Sequence, residues 1–492
     1  MPGRLQFDFS PTPRPRPRDG QSPMRLLLLG DFSAKPASER RPLAERQTHR
    51  VDVDSLDDVM RRTAPRLTLA GAEVGFESLD DFHPDALFAR VPVFASLRQM
   101  RQRLMDPARF AQAAAELGSA TVPAAGASAS PPASASASAP GSAPADNSGD
   151  LLAGLLGGRP AAAAPFAPAS PAATAVAGVD AFIRNIIAPH IVPDHRSQQA
   201  ELVASVDLAT AAEMRAVLHT PEFQSLEAAW RGVQWLINSL ELDETLELHL
   251  FDVSREELLA DVVDAQGQLA ETGLHRALAD RWRNVPGAQG WSVLTALYSF
   301  GPSDADIGLL AALGLLAAQA GGPLLAAGDP SLALGDAATL AGWQSLRQSE
   351  AAPWIGLAAP RVLLRLPYGK RSDPCSAFAF EEFPGTPEHS QFLWGAGSLA
   401  ISLLLGRAFT QRGWAFEPGD EREIGDLPAY HFMRDGEGEM QACAESYLGD
   451  QAGQALLEAG LMPVLSHKNR NAVTVMRFQS IAEPAQPLAR LA

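Results

Sequence analysis

Cysteine is scarce: the 492-residue chain holds two, Cys375 and Cys443, with no C-x-x-C pair or partner cluster. That excludes a disulfide framework and fits two inert thiols in a reducing compartment, so a cytoplasmic location is expected. Long unbroken apolar runs are missing too. The start, "MPGRLQFDFSPTPRPRPRDG", has charges and prolines where a secretion signal needs an apolar core, so export by that route is not expected. The best membrane candidate, Ile307–Gly328, is interrupted at Gly321-Gly322-Pro323 after about fourteen helical residues, short of the roughly twenty a bilayer requires. It reads as a buried helix followed by a buried strand, and no direct membrane insertion is expected. Positive charge is also in deficit: a formal net charge of -17 argues against nucleic acid as a partner.

Catalytic and metal signatures are missing as well. There is no G-x-S-x-G; "WGAGSLA" has the wrong order. "PYGKRS" contains Gly369-Lys370 without the upstream glycine or following hydroxyl of a phosphate loop. The ten histidines form no HxH, HxxxH or HExxH pair, and His190 and His195 straddle Pro193. Adjacent carboxylates occur at Glu381-Glu382, Glu256-Glu257, Asp57-Asp58 and Asp80-Asp81, with no neighbouring nucleophile or histidine. They read as solvated or ion-paired structural groups, and a hydrolase built on Glu381-Glu382 is the remote alternative. No catalytic residue, cofactor site or metal site is expected, which points to a structural or assembly protein.

What is present is a folded chain of two to four domains, 46% hydrophobic and 20% charged. From Ser119 to Gly178 it is almost wholly Ala, Ser, Pro and Gly, the composition of a flexible tether. At about sixty residues it would reach roughly 40 Å as a random coil. This divides residues 1–117 from residues 179–492, with the linker at 118–178. Inside the tether, Leu151, Leu152, Leu155 and Leu156 in "GDLLAGLLGG" share one face of a short helix. Two readings stand: a docking motif for a partner's groove, or a stretch that stays unstructured.

The N-terminal unit offers an alternating strand "RLQFDFS" and a buried strand in "MRLLLLGDF". A helix over Ser55–Arg62 with Ser55 as its cap, strand material in "LTLAGAEVGFES" and a helix broken near Pro92 and resumed to Met105 follow. The C-terminal unit reads as a long helix from about Leu208 to Leu240, a strand in "ETLELHLFDV" and a helix capped by Ser254. After these come a strand in "APRVLLRLPYG", an almost wholly apolar helix of about eighteen residues in "HSQFLWGAGSLAISLLLGRAFTQRGW", and a hairpin turning at Asn469–Asn471. The fold class is mixed α/β (α+β).

Two features suggest contacts. In "FQSLEAAWRGVQWLI", Phe223, Leu226, Trp230, Val233 and Ile237 form one buried stripe, while Trp235 falls off it near Ala228 and Gly232. The second face is expected to dock on another element, either the N-terminal unit or part of the C-terminal one. Arg361 and Arg365, four apart on the expected strand, share a face; with Glu381 and Glu382 they suggest an ion-pair network across strands or subunits.

"LHTPEFQSLEAAWRGVQWLI", "WQSLRQSEAAPWIGLAAPRVLLRLPYG", "FAFEEF" and "FLWGAGSLAISLLLGRAF" together resemble the large contractile-sheath subunit of type VI secretion systems over roughly Val179 to Pro484. "MRLLLLGDFSA", "VDVDSLDDVMRRTAPRLTL" and "VGFESLDDFHPDALFARVPVFASLRQMRQRL" resemble the small sheath subunit over about Arg25 to Leu117. The resemblance implies a natural fusion of both sheath partners and a contractile-sheath-like fold. It implies sheath subunits as partners, with an inner tube, a baseplate and an AAA+ unfoldase that recognises a short helix ahead of the large unit. It also implies strand exchange between protomers, for which "LQFDFS" is placed.

Three departures accompany it. The family's acidic "GDYEF"-type stretch appears as "TALYSF", Thr295–Phe300; the family continues beyond the point where this sequence stops; and the small-subunit-like unit gives way early to the tether. A fused sheath protomer is therefore expected, with a non-polymerising accessory that caps, nucleates or regulates the sheath as the alternative.

Overall fold

The structure, a computed structural model, describes residues 22–118, 198–283, 289–336 and 338–489. The tether, its leucine motif and the "RLQFDFS" strand lie outside the described residues. Contacts divide the chain into two compact units, Met1–Ala95 with Thr210–Ala492, and Ser96–Ala209. These units do not coincide with the two family-like segments, because most of the small-subunit-like segment belongs to the first.

"MRLLLLG" forms β1 (Met24–Gly30), whose leucines are all fully buried. A run of leucine without alternation suits a strand covered on both faces, which is the setting of a parallel sheet. The other strands are β2 (His49–Val51), β3 (Arg66–Leu69), β4 (Ala72–Gly75), β5 (Leu246–Asp252), β6 (Val293–Phe300), β7 (Leu324–Gly328) and β8 (Ile355–Ala359). Then come β9 (Val362–Leu363), β10 (Trp394–Gly395), β11 (Glu423–Ile424), β12 (His431–Arg434), β13 (Glu437–Met440), β14 (Leu461–Ser466) and β15 (Val473–Val475). Nine of them make one sheet, in the order β11-β15-β14-β8-β7-β6-β1-β5-β2.

β1 therefore lies inside the sheet built by the large-subunit-like segment, parallel to β5 on one side and β6 on the other. Leu26 stands opposite Leu248 and Val293. β2, from the same small-subunit-like segment, closes that edge antiparallel to β5.

The longer helices are α1 (Leu56–Thr63), α2 (Pro84–Arg90), α3 (Pro92–Met105), α4 (Phe110–Gly118), α5 (Gln198–Leu218) and α6 (Pro221–Ser239). They are followed by α7 (Arg255–Asp264), α8 (Asp304–Ala320), α9 (Ala341–Arg347), α10 (Gly397–Arg412) and α11 (Asp450–Glu458). α8 covers one face of the sheet: its Leu309, Leu313 and Leu316 cluster with Leu27, Leu29, Leu294, Leu324 and Leu357. α10 covers the other face and is buried on most of its surface. There Thr295 Oγ1 and Ser402 Oγ are 2.7 Å apart, and Ser398 Oγ donates to the Ala296 carbonyl at 3.0 Å.

In the other unit, Arg101 Nε meets Asp207 Oδ1 at 2.6 Å, and Gln199 Nε2 donates to the Leu104 carbonyl at 2.8 Å. Leu97, Leu104, Ala113, Leu117, Val206 and Ala209 are buried there, with Ser205 among the polar residues.

Several expectations change. The single helix over Leu208–Leu240 is two, α5 and α6, because Pro221 forces Thr220 into an extended conformation (φ −66°, ψ 138°). Ser55 stands at the cap position of α1, but its hydroxyl bonds Asp52 and not the helix. Ser254 does cap α7, reciprocally with Glu257. The "APRVLLRLPYG" strand shrinks to Val362–Leu363, paired with Trp394 and Gly395. The apolar helix is shorter than expected, at Gly397–Arg412.

Candidate functional site

The contacts made inside the first unit between the small- and large-subunit-like segments form the candidate site. They begin on the face of α6 that holds Phe223 and Trp230. Phe223 is packed edge-on against Phe76 and Phe82, at 6.2 and 5.6 Å between ring centroids, and those two rings stack on each other at 4.4 Å. Trp230 meets Phe32 edge-on at 5.4 Å and donates its indole N–H to the Phe32 carbonyl at 2.9 Å. The stripe itself thus faces the small-subunit-like segment.

The second face of α6 has a different neighbour. A side chain at Gly232 would meet Leu399 Cδ1 at 2.7 Å, so the glycine admits α10 to close approach. Ala228 and Trp235 are partly exposed. The expected close approach therefore occurs within the large-subunit-like segment.

Glu227 lies between Phe223 and Trp230 on the buried stripe, one helical turn before Arg231. It is fully buried and anchors an ionic cluster. Arg365 grips it with two contacts, Nε at 2.8 Å and Nη2 at 3.2 Å; Arg231 Nε adds a third at 2.7 Å, and the Tyr368 hydroxyl a fourth at 3.2 Å. Arg365 also grips Glu382 at 2.8 and 3.2 Å, and its guanidinium lies 4.2 Å from the centre of the Tyr368 ring. Glu382 further accepts the Tyr368 N–H at 2.8 Å and has His219 Nε2 at 3.2 Å.

Burial alone would raise both carboxyls. Arg365 and Arg231 outweigh it at Glu227, which is lowered; Arg365, His219 and the Tyr368 N–H hold Glu382 at about 2. A carboxylate ionised that firmly has no proton to give near neutral pH, so this pair is an ionic lock and supplies no general acid. Glu381 is exposed and accepts the Lys370 N–H at 3.2 Å.

The expected shared face of Arg361 and Arg365 is not found. Beyond Leu363 the pleat ends, so alternation no longer fixes direction. Arg365 turns inward, while the exposed Arg361 pairs with Glu445, Nε to Oε2 at 3.0 Å.

The loop carrying this cluster is pinned to the small-subunit-like segment. Asp85 accepts Ser376 N–H and Oγ–H at 2.8 and 2.7 Å and Ala377 N–H at 3.0 Å. Phe88 stacks on Phe378 at 4.5 Å, and His83 meets Tyr368 edge-on at 5.1 Å.

A second network joins the segments at the ends of β1 and β5. Asp252 accepts the backbone N–H of Phe32 and Ser33 and the Ser33 hydroxyl, at 2.9, 3.0 and 2.7 Å. Glu257 in the first turn of α7 receives Arg40 Nη1 at 2.9 Å and both Nη groups of Arg46. The carboxylates of Glu256-Glu257, Asp57-Asp58 and Asp80-Asp81 all stand in first turns of helices, where the helix dipole favours negative charge. Sequence reading missed Glu227, Arg231, Tyr368, Arg40 and Asp252. Only Glu227 carried a local signal, a charge set into an apolar stripe.

Burial raises both thiols, Cys375 to about 12 and Cys443 to about 11, so neither is a thiolate near neutral pH. Among the described residues, no group of three or more His, Cys, Asp or Glu is placed to hold a metal, and no helix is long and apolar enough to cross a membrane.

Two family descriptions match the chain. Residues 200–340 and 331–482 match "EvpB/VC_A0108, tail sheath N-terminal domain", and residues 2–119 match "Type VI secretion system, VipA, VC_A0107 or Hcp2". The type VI secretion system sheath protein TssC1 of Pseudomonas aeruginosa is 30% identical over 308 residues, 58% of this chain and 61% of that protein. Sheath protein TssB1 of the same organism is 26% identical over 114 residues, 21% of this chain and 66% of that protein. The chain thus spans somewhat under two thirds of the length of each curated relative it matches. With a small-subunit-like segment supplying an internal strand and an edge strand of the sheet in a large-subunit-like segment, the chain belongs to the type VI secretion sheath family as a fusion of its TssB and TssC kinds.

Proposed function

We propose that the chain is a fused sheath protomer, a structural building block in which one polypeptide supplies what two sheath subunits otherwise supply. One observation carries this reading: β1 stands between β5 and β6. Each segment completes the other's core, so the unit available for assembly is the pair. The aromatic contacts of Phe223 and Trp230, the lock at Arg365, Glu227 and Glu382, and the Arg40–Glu257 network support it.

Its partners on this reading are further copies or separate sheath subunits. An inner tube, a baseplate and an unfoldase stand beyond them, all in the cytoplasm. The role requires no cofactor and no catalysis. Negative-stain microscopy of the purified chain, alone and mixed with separate small and large sheath subunits, tests it. Tubes from the single chain, or its incorporation along mixed tubes, are expected. Small particles that bind only sheath ends would replace the protomer with an accessory that caps or nucleates.

A further inference from the structure

We propose that the corner where β1, β2 and β5 meet is an acid-triggered latch, in which a proton on His249 releases the edge strand β2 and opens the edge of β5. The inference concerns a conformational response of the folded chain and does not rest on the protomer reading.

The corner is built around one carboxylate. Directly opposed positions share a face of the sheet, and β5 sets Glu247 opposite Arg25 of β1 and His249 opposite Arg50 of β2. Glu247 Oε2 receives Arg25 Nε at 3.1 Å and His249 Nε2 at 2.9 Å, and Oε1 has Arg50 Nη1 at 3.4 Å. Arg25 is held further: its Nη1 donates to the Gln289 carbonyl at 2.8 Å, and its guanidinium lies 4.3 Å from the centre of the Trp291 ring. Arg50 has the looser hold. Its side chain is 44% exposed against 22% for Arg25, and its other anchor is the Asp243 carbonyl at 2.8 Å.

His249 is the buried member, with Trp291 edge-on to it at 5.1 Å. An ionised Glu247 only accepts, so Nε2 carries the proton that joins the two and Nδ1 is bare. Nδ1 is buried and has no hydrogen-bond partner. A second proton would therefore land on a nitrogen with neither an acceptor nor water beside it, and a buried N–H left unpaired is costly. It would also set three cations, Arg25, Arg50 and the imidazolium, on one carboxylate.

Burial pushes His249 below its ordinary 6.5; the Glu247 hydrogen bond opposes the shift, while Arg25 and Arg50 add to it. Opening restores water to Nδ1, so the open corner binds the proton more readily than the closed one. The closed form is therefore fully favoured above about pH 6.5 and loses ground as pH falls below it.

β2 is the element that yields. It is three residues long and pairs with β5 alone at the edge of the sheet, whereas β1 is paired on both sides. Its departure leaves the backbone of β5 unpaired on that side, an edge open to another strand. The other histidine of β2, His49, stands opposite Leu250 and so belongs to the opposite face, with Arg62 and Asp252 as its charged neighbours.

Hydrogen exchange of the full chain tests the latch, read by mass spectrometry from about pH 7.5 to about pH 5 and corrected for the intrinsic pH dependence of amide exchange. Protection of the peptide covering residues 46–54 should fall at least about tenfold over that range, with that of β7 unchanged. Exchange at the imidazole C2–H in the same samples gives the titration of His249, and its midpoint should coincide with the loss. His249→Gln, which keeps an N–H donor for Glu247, should hold protection constant, and His49→Gln should respond as the unaltered chain does. Constant protection in the unaltered chain, an equal loss in His249→Gln, or a response that vanishes in His49→Gln overturns the latch. Should His249→Gln fail to fold, the two midpoints in the unaltered chain decide alone, and a His249 that titrates apart from the loss overturns it.

Discussion

The indole N–H of Trp230 donates to the backbone carbonyl of Phe32 at 2.9 Å, across 198 positions of sequence. Both ends are buried, and the two rings meet edge-on. A large-subunit-like helix is thereby fixed to the end of a small-subunit-like strand. Trp230→Phe should cost about 1–3 kcal/mol, since the Phe32 carbonyl loses a partner away from water. Trp230→Ala should cost about 3–5 kcal/mol. Denaturant midpoints of the two variants measure this, and no loss in Trp230→Phe would mean that the hydrogen bond contributes nothing.

Glu382 makes stability depend on acid. Its carboxyl titrates at about 2 in the fold against 4.5 for an ordinary glutamate. Its contribution is therefore fully present above about pH 5 and is lost as pH falls towards 2. Glu382→Gln leaves Arg365 half-paired in the interior and should cost about 3–5 kcal/mol at pH 7. The gap between wild type and variant should narrow when the denaturant midpoints are repeated at pH 3. A gap of constant size would remove Glu382 from the acid response.

Gly232 is predicted to matter more than the larger Trp235. An alanine methyl at 232 would press on Leu399 and should cost about 1–3 kcal/mol through overpacking. Trp235→Ala, at a partly exposed site, should cost less than Trp230→Ala by thermal or chemical unfolding. If Trp235→Ala leaves folding intact yet weakens assembly, that face of α6 contacts another protomer.

The elements were legible where the signal is local. The apolar run of four leucines announced a buried strand, and Gly321-Gly322-Pro323 marked the end of α8. Ser254 announced the start of α7. Sheet order was not legible: hydrophobic periodicity says that β1 and β6 are buried strands, but their adjacency is a long-range pairing that no window contains.

The same limit hid the partners of Arg365. Glu227 and Glu382 reach it from α6 and from a loop, and the alternation expected after Val362 stops where the pleat does. The break between α5 and α6 was written in Pro221, but the apolar pattern runs through both helices and masked it.

β1 gives the account its central claim. Burying four leucine side chains contributes roughly 6–12 kcal/mol, the size of a domain's entire net stability. The large-subunit-like segment should therefore depend on the small one even after the peptide chain between them is cut. A protease site inserted between residues 119 and 197 allows the test. After cleavage the two pieces should elute as one species and unfold in a single transition in denaturant. Separate elution without denaturant, or two independent transitions, would contradict a shared sheet.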